Sequence, residues 1–228
     1  MRPAAEPDVP WRGRGAIAVA LLAVVITILV AALAPRLDPA LLFPVLAMSI
    51  GLATLVWAAL HGRVEALFGD RFRVGLGTLG MAALGWVVVF GLQILVGAVV
   101  VTLLGPDAAP EAGGLPSDVL EGPPWSLVLG AVVVAPVAEE LYFRGFLLQG
   151  LWRSFGPRWA IVLSAVVFGI FHFGGARLQT VLPMVSATLI GLVFGYLFVR
   201  TRNLAVTVLA HALVNGVAIS VVLFLTEG

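Results

Sequence analysis

Apolar residues run along this chain in long blocks, with polar residues gathered in the short stretches between them. A bilayer core of roughly 30 Å needs about 20 apolar residues per helix. Seven blocks meet or approach that rule: 15–34, 40–60, 77–104, 125–152, 158–173, 181–199 and 203–225. None shows the period-2 alternation of a barrel strand, and in lipid a long unbroken run must satisfy its own backbone as a helix. The pattern predicts an all-α, polytopic transmembrane helical bundle of about seven spans, one integral membrane domain over residues 1–228. The first block is longer than the roughly 7–15 residues of a signal-peptide core. Its triplet Ala32-Leu33-Ala34 runs into Pro35, a poor residue after a cleavage site, so it reads as a retained anchor.

All thirteen cationic residues are arginines, and leaving aside Arg144 they count 3, 1, 3, 0, 2, 1, 2, 0 through the successive tails and loops. That alternation places the N-terminus in the cytoplasm and the C-terminus outside by the positive-inside rule. The expected location is the plasma membrane, crossed several times. Trp11, Trp57, Trp125, Trp152 and Trp159 fall at span ends, as an aromatic belt requires. The 105–124 loop, with Asp107, Glu111, Asp118 and Glu121 among prolines and glycines, reads as a solvated external linker.

Composition agrees with the pattern. Hydrophobic residues make up 61% and charged ones 11%, against about 45–50% and 25% in a soluble domain. A net charge of +1 excludes nucleic acid as a partner and leaves the bilayer as the medium. The absence of cysteine excludes disulfides, thiolate metal sites, a cysteine nucleophile and iron–sulfur clusters.

Ionisable groups inside a span are costly and point to function. They are few: Glu139, Glu140, Arg144, His172 and His211, joined by Asn215; His61 stands at a span end and reads as interfacial. The fourth and fifth spans make a hairpin whose turn, 153–158, has its midpoint between Phe155 and Gly156. Glu139 lies fourteen residues before Arg153 and His172 fourteen after Arg158. At ~1.5 Å per residue both sit about 21 Å from the arginines, at one depth. On the last span Asn215 lies about 20 Å from Arg202, and His211 about 14 Å. Three helices thus bring their strong polar groups to similar depths. Glu140 and Arg144, four apart with the acid first, form a helical ion pair. Glu139, turned about 100° away, keeps a free carboxylate. His211 and Asn215 share a face, and Pro136 should kink the helix close to the carboxylates. Ala187, Gly191 and Gly195 read as a packing stripe.

Glu139-Glu140-Leu141-Tyr142-Phe143-Arg144 spells EExxxR, Phe168 to His172 spells FxxxH, and His211 to Asn215 spells HxxxN. In this order the three motifs resemble those of the CPBP family, the CAAX proteases and bacteriocin-processing enzymes also called Abi or type II CAAX proteases. The resemblance covers about 125–222, as a catalytic core. It implies an intramembrane endopeptidase acting on membrane-embedded or membrane-associated substrates of CAAX-like or bacteriocin-leader type. Glu139 would activate water and His172 hold it. His211 and Asn215 would bind the oxyanion, with Glu140, Arg144 and Phe168 in support.

Metal use stays open at this stage. The preferred reading needs no cofactor; the alternative is zinc on Glu139, His172 and His211, although no HExxH helix is present. A proton-coupled small transporter would also use membrane Glu and His, but the chain is short and shows no internal repeat. A non-enzymatic bacteriocin-immunity protein would keep the fold without turnover.

Overall fold

The computed structural model describes residues 6–33, 39–105, 123–173 and 178–227. The acidic residues of the 105–124 loop, with Arg36 and Arg177, lie outside these residues. The described residues are helical: α1 Gly13–Leu33, α2 Pro39–Leu60, a 3₁₀ turn Val64–Phe68, and α3 Leu76–Leu104. A helical stretch Pro124–Phe171 follows, then Leu178–Thr201 and Leu204–Glu227, here α6 and α7.

The 48-residue stretch Pro124–Phe171 is bent back on itself. Gly156 leaves helical geometry at φ 78°, ψ 169°, where a side chain would be strained, and Pro157 follows without an N–H. The arms on either side are α4 (124–155) and α5 (157–171). Phe143 meets Phe168 at 4.8 Å between ring centroids, and the Ser164 hydroxyl donates to Phe143 O at 3.2 Å. Phe143 and Phe168 are nearly equidistant from Gly156. The chain reverses where the sequence places the hairpin turn.

Four helices have the length and hydropathy to cross a membrane among the described residues: Leu76–Leu104, Pro124–Phe171, Val181–Thr201 and Leu204–Val221; Ala47–Leu60 is a shorter apolar segment. Seven rods stand where seven blocks were expected, while seven crossings are not established. α3 shows the lipid-facing logic. It buries Thr78, Ala82, Gly85 and Val89, a stripe at helical spacing, against Leu197 and Ala210, and leaves Leu84, Val88 and Ile94 exposed. In water such a face would be a liability; in hydrocarbon it costs nothing.

At the centre runs α4, enclosed by its neighbours. Gly51 of α2 lies so close to Ala138 that a Cβ there would come within 2.7 Å of its backbone. Gly145 similarly admits the backbone of Leu67. Gly191 and Gly195 of α6 let that helix close on Ala165 and Ile161, so the small-residue stripe is packing, as expected.

The aromatic belt needs correction. Trp125 and Trp159 are exposed, but Trp11 and Trp152 are buried. Trp11 stacks on Phe146 and donates its indole N–H to Phe146 O at 2.9 Å, while Trp152 carries the Arg202 guanidinium at 4.8 Å. Position at a span end sets depth and says nothing about which way a ring faces. His61 is exposed and stacks on Trp57, in keeping with an interfacial place.

Candidate active site

The helix that carries the two glutamates is wound wide. Leu129–Val134 and Leu141–Leu148 are π-helical, with α-helical Ala135–Glu140 between them. A π turn leaves carbonyls out of the ordinary register, and such turns gather at functional sites. Here side chains meet several of those carbonyls: Ser164 on Phe143 O, Trp11 on Phe146 O and Asn215 on Ala131 O from other elements, and Gln149 on Gly145 O from one turn further along the same helix.

Glu140 is fully buried and held from two sides. Arg144 Nη1 donates to its Oε1 at 2.8 Å, and His211 Nδ1 stands 3.0 Å from the same oxygen. The Arg144 guanidinium is itself walled by aromatic faces, 4.7 Å from Phe168, 5.4 Å from Phe194 and 5.9 Å from Phe143. Its Nη2 reaches Gly191 O at 3.5 Å. In hydrocarbon a charge needs both a counter-ion and hydrogen bonds, and each wall here supplies a part.

Glu139 differs. Its side chain is 22% exposed, yet its Oε2 is buried without a hydrogen-bond partner and lies 4.0 Å from His211 Nε2. With an acceptor carboxylate against it, His211 Nδ1 carries a proton, and Nε2 is turned to Glu139. The imidazole is further fixed by the rings of Phe194 and Phe168, at 5.6 and 6.0 Å.

His172 comes less close. It caps the end of α5, its Nδ1 paired with Phe168 O at 2.8 Å and its ring 4.6 Å from that of Phe168. Among the described residues no hydrogen bond or ion pair joins it to either glutamate. Phe168 is the link, touching His172, His211 and Arg144 at once. Asn215 is on the expected face of α7, one turn beyond His211, but its Nδ2 donates to Ala131 O at 2.8 Å.

The start of α7 is anchored well away from the glutamates. Arg202 takes a positive φ of 55°, pairs with Asp70 at 2.9 Å, and its carbonyl accepts the Arg71 N–H. Asn203 then caps the helix by accepting the N–H of Ala205 at 3.1 Å. His211 is thereby fixed in depth from its own helix terminus.

The alternative zinc set is not assembled. Among the described residues no three His, Asp or Glu side chains converge on a point where a metal ion could sit. Nδ1 of each histidine is engaged, with Glu140 in one and a backbone carbonyl in the other. Among the described residues Glu139, His172 and His211 do not form a ligand set in this arrangement.

The sequence predicts one cluster of Glu139, Glu140, Arg144, His172, His211 and Asn215 with Phe168 in support. The structure brings Glu139, Glu140, Arg144, His211 and Phe168 together, while His172 and Asn215 bond to the carbonyls of Phe168 and Ala131. Sequence reasoning missed Phe194, which faces both Arg144 and His211 and carries no signal distinguishing it from other apolar residues of α6. It missed the carbonyl of Ala131, although Pro136 five residues on hints that a carbonyl there lacks a backbone partner.

Comparison with known proteins covers the same part of the chain. Residues 121–217 match the model of the type II CAAX prenyl endopeptidase Rce1-like family, a range that holds all three motifs. The chain is 27% identical over 147 residues to "Putative membrane peptidase YdiL" of Bacillus subtilis (strain 168), covering 64% of this chain and 57% of that protein. It is 30% identical over 107 residues to "Uncharacterized protein YyaK" of the same organism, covering 44% of this chain and 35% of that one. It thus spans less than two thirds of the length of either relative. No solved structure matches it. Residues 121–217, which carry the motifs and the buried glutamate cluster, are similar to the Rce1-like, type II CAAX prenyl endopeptidase (CPBP) family.

Proposed function

We propose that this protein is an intramembrane endopeptidase in which Glu139 activates water against a peptide carbonyl. The observation that carries the reading is the asymmetry of the two adjacent glutamates. Arg144 and His211 both engage Glu140 Oε1 and leave only its Oε2 unpartnered, while Glu139 makes no hydrogen bond among the described residues and holds its Oε2 4.0 Å from His211 Nε2.

Glu139 takes a proton from water as the oxygen bonds to the carbonyl carbon. When the tetrahedral intermediate collapses, the C–N bond breaks and Glu139 returns the proton to the leaving nitrogen. The developing oxyanion needs a preorganised donor. His211 supplies it when doubly protonated, with Nδ1–H on Glu140 and Nε2–H toward the reacting carbonyl. His172 stands at the rim, where it can meet the water or the substrate chain.

The substrate is membrane-embedded or membrane-associated peptide of CAAX-like or leader type, presented at the depth of Glu139. Purified protein in liposomes should cleave a fluorogenic peptide of one of these types. Glu139→Gln should abolish that cleavage while the protein inserts and melts as wild type does. Full activity in Glu139→Gln would end the general-base assignment, and transport without cleavage would favour a proton-coupled carrier.

A further inference from the structure

Pro136 creates a specific vacancy in the backbone of α4. In the π turn that ends there, the N–H of Ala135 goes five residues back to Gly130 O. The same register would send the N–H of residue 136 to Ala131 O, but proline has none. Ala131 is buried, so its carbonyl has no access to a replacement from solvent. The donor comes from another helix: Asn215 Nδ2 at 2.8 Å. Around it α7 and α4 are in close contact, with Leu127, Ala131 and Ile219 forming one buried cluster and Gly216 facing Val132.

We propose that Asn215 is a positioning residue: it closes the backbone gap left by Pro136 and so fixes Glu139, one turn further on, relative to His211. The proposal rests on the peptidase reading above but assigns Asn215 a different task from oxyanion binding. Helix α7 grips α4 at two points, His211 on Glu140 at 3.0 Å and Asn215 on Ala131 at 2.8 Å. One contact leaves α4 free to pivot at the proline; two fix both its rotation and its register. Glu139 lies between them in sequence. A displacement of about 1 Å at a reacting group can cost on the order of 10² in rate. The amide is therefore placed where a small slackening of backbone is converted into loss of turnover.

A rescue separates this role from direct contact with the reacting atoms. Pro136→Ala gives residue 136 an N–H that can bond Ala131 O in the existing π register, making the Asn215 amide redundant. Steady-state kinetics on the peptide that the wild type cleaves should show Asn215→Ala reducing kcat about 10²-fold with KM little changed and the melting temperature nearly constant. Asn215→Asp, equal in shape but without a donor when ionised, should behave likewise. In the double variant Pro136→Ala/Asn215→Ala, kcat should return to within about threefold of Pro136→Ala alone. A double variant as slow as Asn215→Ala, with Pro136→Ala active, would place the amide on the oxyanion and overturn the proposal.

Hydrogen exchange supplies an arm independent of turnover. Backbone amides in a proteolytic fragment spanning 129–141 should exchange about tenfold faster in Asn215→Ala than in wild type. Unchanged exchange overturns the proposal even if Pro136→Ala proves inactive. A wild type that cleaves no peptide would defeat the peptidase reading alone, because the exchange comparison would still decide the role of Asn215.

Discussion

Arg144 joins the chemistry of the site to its stability. One planar group neutralises Glu140, stacks on Phe168 and Phe194, and reaches the backbone of α6 at Gly191. Its removal would leave Glu140 as a buried charge with His211 as its remaining strong partner. Arg144→Ala should therefore destabilise the protein by about 3–5 kcal/mol, the usual cost of breaking a buried ion pair from one side. Arg144→Lys keeps the charge but loses the flat stack and the forked donors, so it should fall between alanine and wild type. Thermal melting of the two variants beside Glu139→Gln checks the order. Glu139→Gln should melt near wild type, since its unpartnered oxygen makes no bond that the amide would lose. A wild-type melting temperature in Arg144→Ala would show that the ion pair contributes little.

At the scale of elements, the hairpin and the depth of the polar groups were legible because both follow from counting residues at a fixed rise. Gly156 and the arginines around it mark the turn, and Glu140 pairs with Arg144 as their spacing requires and with His211 across the bundle. His172 and Asn215, counted to the depth of Glu139, bond instead to the carbonyls of Phe168 and Ala131. The widening of α4 was not legible. A helix apolar on nearly every side offers no stripe from which to read a change of period, so the π turns leave little trace in the pattern. Inward Trp11 and Trp152 were misread for a related reason, since depth in a bilayer is independent of rotation about the helix axis. Close helix approach was partly legible, at the small residues of α6, and missed at Gly51, where nothing in its own span singles it out. That contact sits directly behind the glutamates, against Ala138. Gly51→Val would force α2 off α4 and should cost about 1–3 kcal/mol, as overpacking does. Activity should fall by more than the melting shift suggests, because Ala138 adjoins Glu139. Retained activity with an unaltered melting curve would mean that α2 can yield without moving α4.

For the whole molecule the open quantity is the direction in which the bundle threads the bilayer. Arginine counts place the N-terminal tail, the loop around Arg71 and the turn at Arg153–Arg158 on the cytoplasmic side. The structure brings members of that set to one end of the bundle. Arg153 bonds the N-terminal segment at Val9 O and Glu6, Arg63 bonds Asp8, and the Arg202 carbonyl accepts from Arg71. Four polar segments that the arginine counts assign to one side are thus tied together by hydrogen bonds, as segments on one side of a membrane must be. The 105–124 segment, with four acids and no arginine, belongs on the other side by the same rule. The native chain has no cysteine, so single cysteines report cleanly. Ser154→Cys should react with a membrane-impermeant maleimide only after intact cells are opened, and Ser117→Cys should react before. Among the described residues Ser154 hydrogen-bonds to the carbonyl one turn back, at Gly150, so its replacement should leave the fold intact. Glu139 would then be reached from the cytoplasmic side across about 21 Å of helix at ~1.5 Å per residue, a depth suited to a substrate already in the bilayer. Early labelling at residue 154 with late labelling at 117 would invert the bundle and move substrate entry to the opposite leaflet.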